Sequence, residues 1–163
     1  MHYKYNTPEY RRLYREMIKR WDESDLSDVI EERVLKICKV VHASNQGVSI
    51  YSCEGHDEPY CARQGYVMFA ARNRKASTVL LEVLQVAMGK IYEIFGGEAI
   101  GEIECNIATR AEDVVYPCVV IRSPTFTTDE MADRWWKVVT ALVHDQLRPH
   151  ITSSPISNKA IFE

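Results

Sequence analysis

Apolar positions recur at helical spacing in four stretches of this chain and at strand spacing in four others, and the two kinds interleave. Tyr10, Leu13, Tyr14, Met17, Ile18 and Trp21 line one side of a predicted first helix. Thr7-Pro8-Glu9 predicts its start, a hydroxyl cap followed by a proline whose missing N–H does no harm there. Arg11, Arg12, Arg15 and Lys19 fall on the other side. They read either as a phosphate-contacting patch or, more simply, as a solvated face diluted by Glu9, Glu16 and Asp22.

Ile30, Val34, Ile37, Cys38 and Val41 predict a second helix from Asp25 or Ser27 to Asn45. Asn45-Gln46-Gly47 ends it, glycine being suited to the left-handed position after a helix. Cys38 and His42 share a face at metal-ligand spacing, although a core thiol beside a helix-terminal histidine is the simpler reading. Val48 to Cys53 predicts strand one. Gly65 to Ala71, apolar on both faces, predicts a central strand two.

A third helix, about Ser77 to Phe95, is apolar around most of its circumference and is expected to be covered on two sides. Gly96-Gly97 closes it. In strand three Gly101, Ile103, Cys105 and Ile107 face the core, and Glu102, Glu104 and Asn106 face away. Val114 to Arg122 predicts strand four, which Pro117 assigns to an edge or a bulge. Thr127-x-x-Glu130 is a capping box opening a last helix, with Met131, Trp135, Val138, Val139 and Leu142 inward and Pro149 at its end.

The order α-α-β-β-α-β-β-α, with short links inside each strand pair, predicts two antiparallel hairpins. The expected fold is α+β, a mostly antiparallel four-stranded sheet with helices packed on it. Residues 1–150 form a single domain, and 151–163 are a polar tail, either disordered or an arm docking on a neighbouring subunit.

At 163 residues the chain is long enough for one sizeable core and short for two. Its 46% hydrophobic and 26% charged content is ordinary for a soluble globular protein. A formal net charge of −3 gives no whole-protein case for nucleic-acid binding. The start, MHYKYNTPEYRRLYREM, lacks the apolar centre of a signal peptide. No apolar run approaches the roughly 20 residues of a membrane helix. Cys38, Cys53, Cys61, Cys105 and Cys118 make an odd, scattered set, which points to reduced thiols and a cytoplasmic location without a membrane partner.

Reactive side chains concentrate between Gly47 and Cys61, GVSIYSCEGHDEPYC. The loop after strand one is long for a hairpin link, as functional loops tend to be. Three chemistries compete there. Cys53, His56 and Cys61 are three soft ligands within nine residues, so zinc is the alternative cofactor to none at all. Cys53 with His56 also forms a candidate thiolate–imidazolium pair for a hydrolase, with Glu54 or Asp57 orienting the ring.

The third is binding without catalysis. Ser52, Cys53, Glu54, Gly55 and His56 offer turn amides, a hydroxyl and an imidazole, while Arg63, Arg72, Arg74 and Lys75 are close in sequence. That set suits a small anionic ligand such as a nucleotide, with Arg72 and Arg74 on its phosphates. Tyr66, or else Tyr51, Tyr60 or Trp136, would cover the base. The bland alternative is a structural turn in which Cys53 packs, Glu54 accepts backbone hydrogen bonds and His56 caps a strand.

Pro8 to Trp21, Glu32 to His42, and Ser52 to His56 together resemble small phage-encoded proteins. Those share a PEYRxLYREMIxxW start, an ERVLKICKxVH helix and a strand ending Ser-Cys-Glu-Gly-His. The resemblance covers under half of the chain. It implies an anti-defence setting in the host cytoplasm, where an oligomeric protein sequesters a nucleotide signal or inhibits a host protein directly. The Ser-Cys-x-Gly turn is also similar to that of a wybutosine-pathway tRNA methyltransferase family. His56 stands where that family has an arginine, and no residue role is carried over. The expectation is therefore a non-enzymatic binder of a small anionic, nucleotide-like ligand. Self-association is expected too, since the third helix and Trp135-Trp136 offer more apolar surface than one sheet needs.

Overall fold

The computed structural model describes residue 5 and residues 7–55, 64–111 and 114–151. The elements run α1 (Pro8–Glu23), α2 (Glu32–Ala43), β1 (Gly47–Cys53), β2 (Tyr66–Ala71), α3 (Arg74–Phe95), β3 (Glu102–Ala111), β4 (Val114–Arg122) and α4 (Asp129–Leu147). The fold is α+β in the expected element order. The strands form one antiparallel sheet in the order β1-β2-β4-β3. The helix α3 touches all four strands, and α4 packs on α2 and α3. Among the described residues no helix is long and apolar enough to cross a membrane.

Local chemistry sets the helix ends. The Thr7 hydroxyl accepts from the Tyr10 N–H, with Pro8 in the first turn, as the sequence predicts. The second helix begins later than expected. The Asp25 carboxylate accepts from the Ser27 N–H and hydroxyl, which spends the cap on a single 3-10 turn, Leu26–Asp28. At its other end Asn45, with φ 58, takes the left-handed position expected of Gly47. Gly47 serves packing instead, since a Cβ there would lie 2.7 Å from the Ala70 carbonyl and 3.0 Å from Leu80.

Two further boundaries shift. Asn73 caps the Ala76 N–H at 2.8 Å, so α3 starts at Arg74 rather than Ser77. The cap of α4 is Thr128, which accepts from the Met131 N–H, while Thr127 contacts the Met131 sulfur. That one-residue step turns Met131 outward and brings Trp136 and Val143 into the core beside Trp135 and Val139.

Pro117 does not mark an edge strand, because β4 lies between β2 and β3. Its ladder with β2 stops at Ala70–Cys118, one residue short of the proline, and the irregularity falls on β3 between Cys105 and Ile107. β3, like β1, is an edge strand. Its expected alternation fails near that irregularity, and Cys105 is exposed instead of facing the core.

Candidate functional site

The end of β1 is a clasp between three elements. Glu31, the residue before α2, accepts the Glu54 N–H with its carboxylate. Glu54 in turn reaches back to the Arg33 N–H at 3.3 Å, capping α2 from a strand end. The Arg33 guanidinium donates to the Glu54 carbonyl at 3.1 Å and to Asp133 at 2.6 Å, with Asp129 at 3.5 Å. Gly55 is buried with φ 86, a turn that favours glycine. Gly65, opposite, lies so close that a Cβ would meet the Cys53 and Glu54 carbonyls at 2.9 Å. Ser123, fully buried, binds both the amide and the carbonyl of Gly65 at 2.8 Å.

Among the described residues the turn is therefore rich in carboxylates, and the Arg33 guanidinium beside it is spent. The Glu54 carboxylate accepts one backbone N–H, that of Arg33, as the structural alternative anticipates. Ser52 and Cys53 are half-buried at the end of β1, and Tyr66 is the register partner of Cys53. His56, Tyr60, Cys61 and Arg63 lie outside the described residues. Cys38, Cys53, Cys105 and Cys118 are in no disulfide. Among the described residues no three His, Cys, Asp or Glu side chains are grouped to hold a metal. Trp136 is fully buried and cannot stack on a ligand.

The expected arginines stand elsewhere. Antiparallel pairing sets Cys53 opposite Tyr66 but Gly47 opposite Ala71, and the Arg72 N–H bonds the Gln46 carbonyl at 2.9 Å. Arg72 is therefore at the far end of the β1–β2 ribbon from Cys53, about 20 Å away at roughly 3.3 Å per residue, and Arg74 follows it into α3. The fold does not combine the turn and these cations into one site.

At that far end Arg72 joins a different set. Tyr5, Arg11, Tyr14, Arg15, Ile18, Asn45, Arg72 and Asn73 line a cleft of about 470 Å³ between α1 and the β2–α3 junction. The Tyr10 hydroxyl positions α1 there by donating to the Ala71 carbonyl, and the Tyr5, Tyr10 and Tyr14 rings pack in series. Arg11 and Arg15 are one helical turn apart on the side facing the cleft.

Electrostatics single this cleft out. Among the described residues Arg11, Arg15 and Arg72 form no ion pair, and no carboxylate lines the cleft. On the same helix Arg12 is spent on Glu16 and Lys19 on Glu23, while Arg74, unpaired among the described residues, stands outside the lining. Three uncompensated positive charges thus face one recess of a chain whose net charge is −3. Tyr14 is only 6% exposed, and its hydroxyl has no hydrogen-bond partner among the described residues. Burial raises its pKa well above the usual phenol range, against the pull of Arg72, so it stays a neutral donor. Burial also raises the pKa of Tyr5, which bonds Ser77 in the first turn of α3.

The sequence leaves Arg11 and Arg15 between a phosphate-contacting patch and a solvated face, and it assigns Tyr14 to the buried stripe and Asn45 to a helix end rather than to a site. Their i, i+4 spacing was the available signal; that Arg72 closes the set depends on the sheet register. A second recess, about 420 Å³ between Phe95, Phe126, Met131 and Trp135, is mainly apolar, with Arg134 lying 5.1 Å over the Phe95 ring.

No protein family matches this chain, and no curated protein does. Among solved structures the chain is similar to the PH1069 protein from Pyrococcus horikoshii, with a TM-score of 0.43 and 12% identity, covering 99% of this chain and 100% of that one. Nothing about the present fold or site follows from a likeness at that level.

Proposed function

We propose that this protein binds a small anionic, nucleotide-like ligand without turning it over, and that the arginine cleft is where it does so. The observation that carries the reading is the trio Arg11, Arg15 and Arg72, unpaired among the described residues and unopposed by any carboxylate in the lining. Guanidinium groups present fork-shaped donors that match phosphate oxygens and also stack on planar rings. The volume falls in the small-molecule range. Tyr5 and Ile18 add apolar lining for a base or sugar. Among the described residues no imidazole, thiol or carboxylate lines the cleft, which favours binding over general acid–base or nucleophilic catalysis.

In the phage setting implied by the resemblance of Pro8 to Arg72, such binding would withdraw a nucleotide signal from solution. Calorimetric titration against nucleoside phosphates and cyclic nucleotides, with chromatography of the recovered ligand, tests the reading. The expected result is saturable binding that weakens between low and high salt, with the ligand recovered intact. Absence of binding across the panel overturns the proposal, and a converted ligand overturns its non-enzymatic part.

A further inference from the structure

We infer that the cleft takes a diphosphate unit rather than a single phosphate group, an assignment that rests on reading the cleft as an anion site. The first argument is charge. A phosphomonoester carries roughly −1.5 to −2 near neutral pH, which leaves at least one of three guanidinium groups uncompensated. A second phosphoryl group brings the ligand close to the charge the lining presents.

The second argument is spacing. Arg11 and Arg15 project from one helix, with Cβ atoms about 5–6 Å apart, and Arg72 enters from the β2–α3 junction. The cations reach the cleft from two separate walls, an arrangement that suits two linked phosphoryl groups better than one. Beside Arg72, Asn73 lines the cleft and caps the 22-residue helix α3, so the helix start adds its positive end to that wall.

The third argument is Tyr14. Tyr14 lines the cleft, and its buried hydroxyl lacks a hydrogen-bond partner among the described residues, a costly state until an acceptor arrives. Arg72 is the charge that acts on it. Among the described residues the Arg72 side chain has no ion-pair partner to give up, so it can follow an incoming oxyanion while the phenol supplies a neutral donor behind it. An oxygen-rich, multiply charged ligand satisfies both needs, whereas an apolar or singly charged ligand satisfies neither.

The test compares inorganic phosphate, AMP, pyrophosphate and ADP by calorimetry on the full chain, with Arg15→Gln and Tyr14→Phe as variants. Pyrophosphate and ADP are expected to bind about tenfold or more tightly than phosphate and AMP, the difference made by one further charge-assisted contact. Arg15→Gln should shrink the pyrophosphate-to-phosphate ratio, and being an exposed helix position it should leave folding intact. Tyr14→Phe should lower pyrophosphate affinity severalfold without lowering the melting temperature, because the lost hydroxyl had no partner in the free protein. AMP binding within about threefold of ADP overturns the diphosphate assignment while the anion site stands. No binding of any of the four overturns both.

Discussion

The Nε of Arg33 lies 2.6 Å from a carboxylate oxygen of Asp133, joining residues 100 apart in the chain and fastening α4 to α2. The pair is lopsided: the arginine side chain is 8% exposed and the aspartate 64%. Replacing Asp133 by Ala leaves the guanidinium its Glu54 carbonyl and Asp129, so the expected loss is about 0.5–1 kcal/mol. Replacing Arg33 by Ala removes all three contacts at once and strips a donor from the Glu54 carbonyl. The expected loss is then about 2–3 kcal/mol. Urea unfolding of the two variants should show that order; equal losses would mean that the Glu54 side of the clasp contributes nothing.

Two glycines make opposite predictions under one substitution. A Cβ at Gly101 would collide with the Arg122 carbonyl and sit 3.0 Å from the Trp135 ring. Neither can yield easily, as the indole N–H is fixed to the Ala99 carbonyl at 2.7 Å. Gly101→Ala should cost about 1–3 kcal/mol or more. Gly89, exposed within α3, has nothing within 4 Å of its would-be Cβ. Gly89→Ala should stabilise by about 0.5–1 kcal/mol through helix propensity. Melting temperatures moving in opposite directions are the check.

Stability should fall on the alkaline side. Burial pushes the Cys38 thiol from 9.0 up to about 12, and it raises Tyr14 as well. Both folded groups keep a proton that the unfolded chain releases earlier. Their stabilisation is therefore complete below pH 9 and is lost as pH rises from there through about 12 for the thiol. For Cys38 the loss reaches about 1.4 kcal/mol at pH 10. Denaturation curves at pH 8 and pH 10 should differ by at least this in the wild type and by less in Cys38→Ala. In the folded protein exposed Cys105 should react with an alkylating reagent well before Cys38 does.

Residue spacing, apolar runs and boundary residues together located all eight main elements, because burial on one face or on both writes itself into the local sequence. Features set by contacts distant in sequence were hidden. Nothing around Glu32 announces that the α2 cap comes from Glu54, 21 positions downstream of Arg33. The irregularity at Cys105–Ile107 coincides with the failure of an otherwise clean alternation and leaves Cys105 outside. Arg72 and Cys53 looked like neighbours because 19 positions and one loop separate them, yet a six-residue strand carries the chain away from the turn.

Arg72 and Arg74, which sequence proximity treats as a pair, provide the sharpest test of that lesson. Both are exposed and neither is in an ion pair among the described residues, so neutralising either should leave folding unchanged. Only Arg72 lines the cleft; Arg74 is the first residue of α3, two positions on and outside the lining. If phosphate recognition depends on proximity, Arg72→Gln should cost about 1.5–3 kcal/mol of binding, roughly ten- to a hundredfold in affinity. Arg74→Gln should cost at most a few tenths, a long-range term that salt removes. Titrating both variants with pyrophosphate at low and high salt separates the two contributions. Equal losses that vanish together at high salt would show that only the general field of the α3 start is at work, and not a built contact.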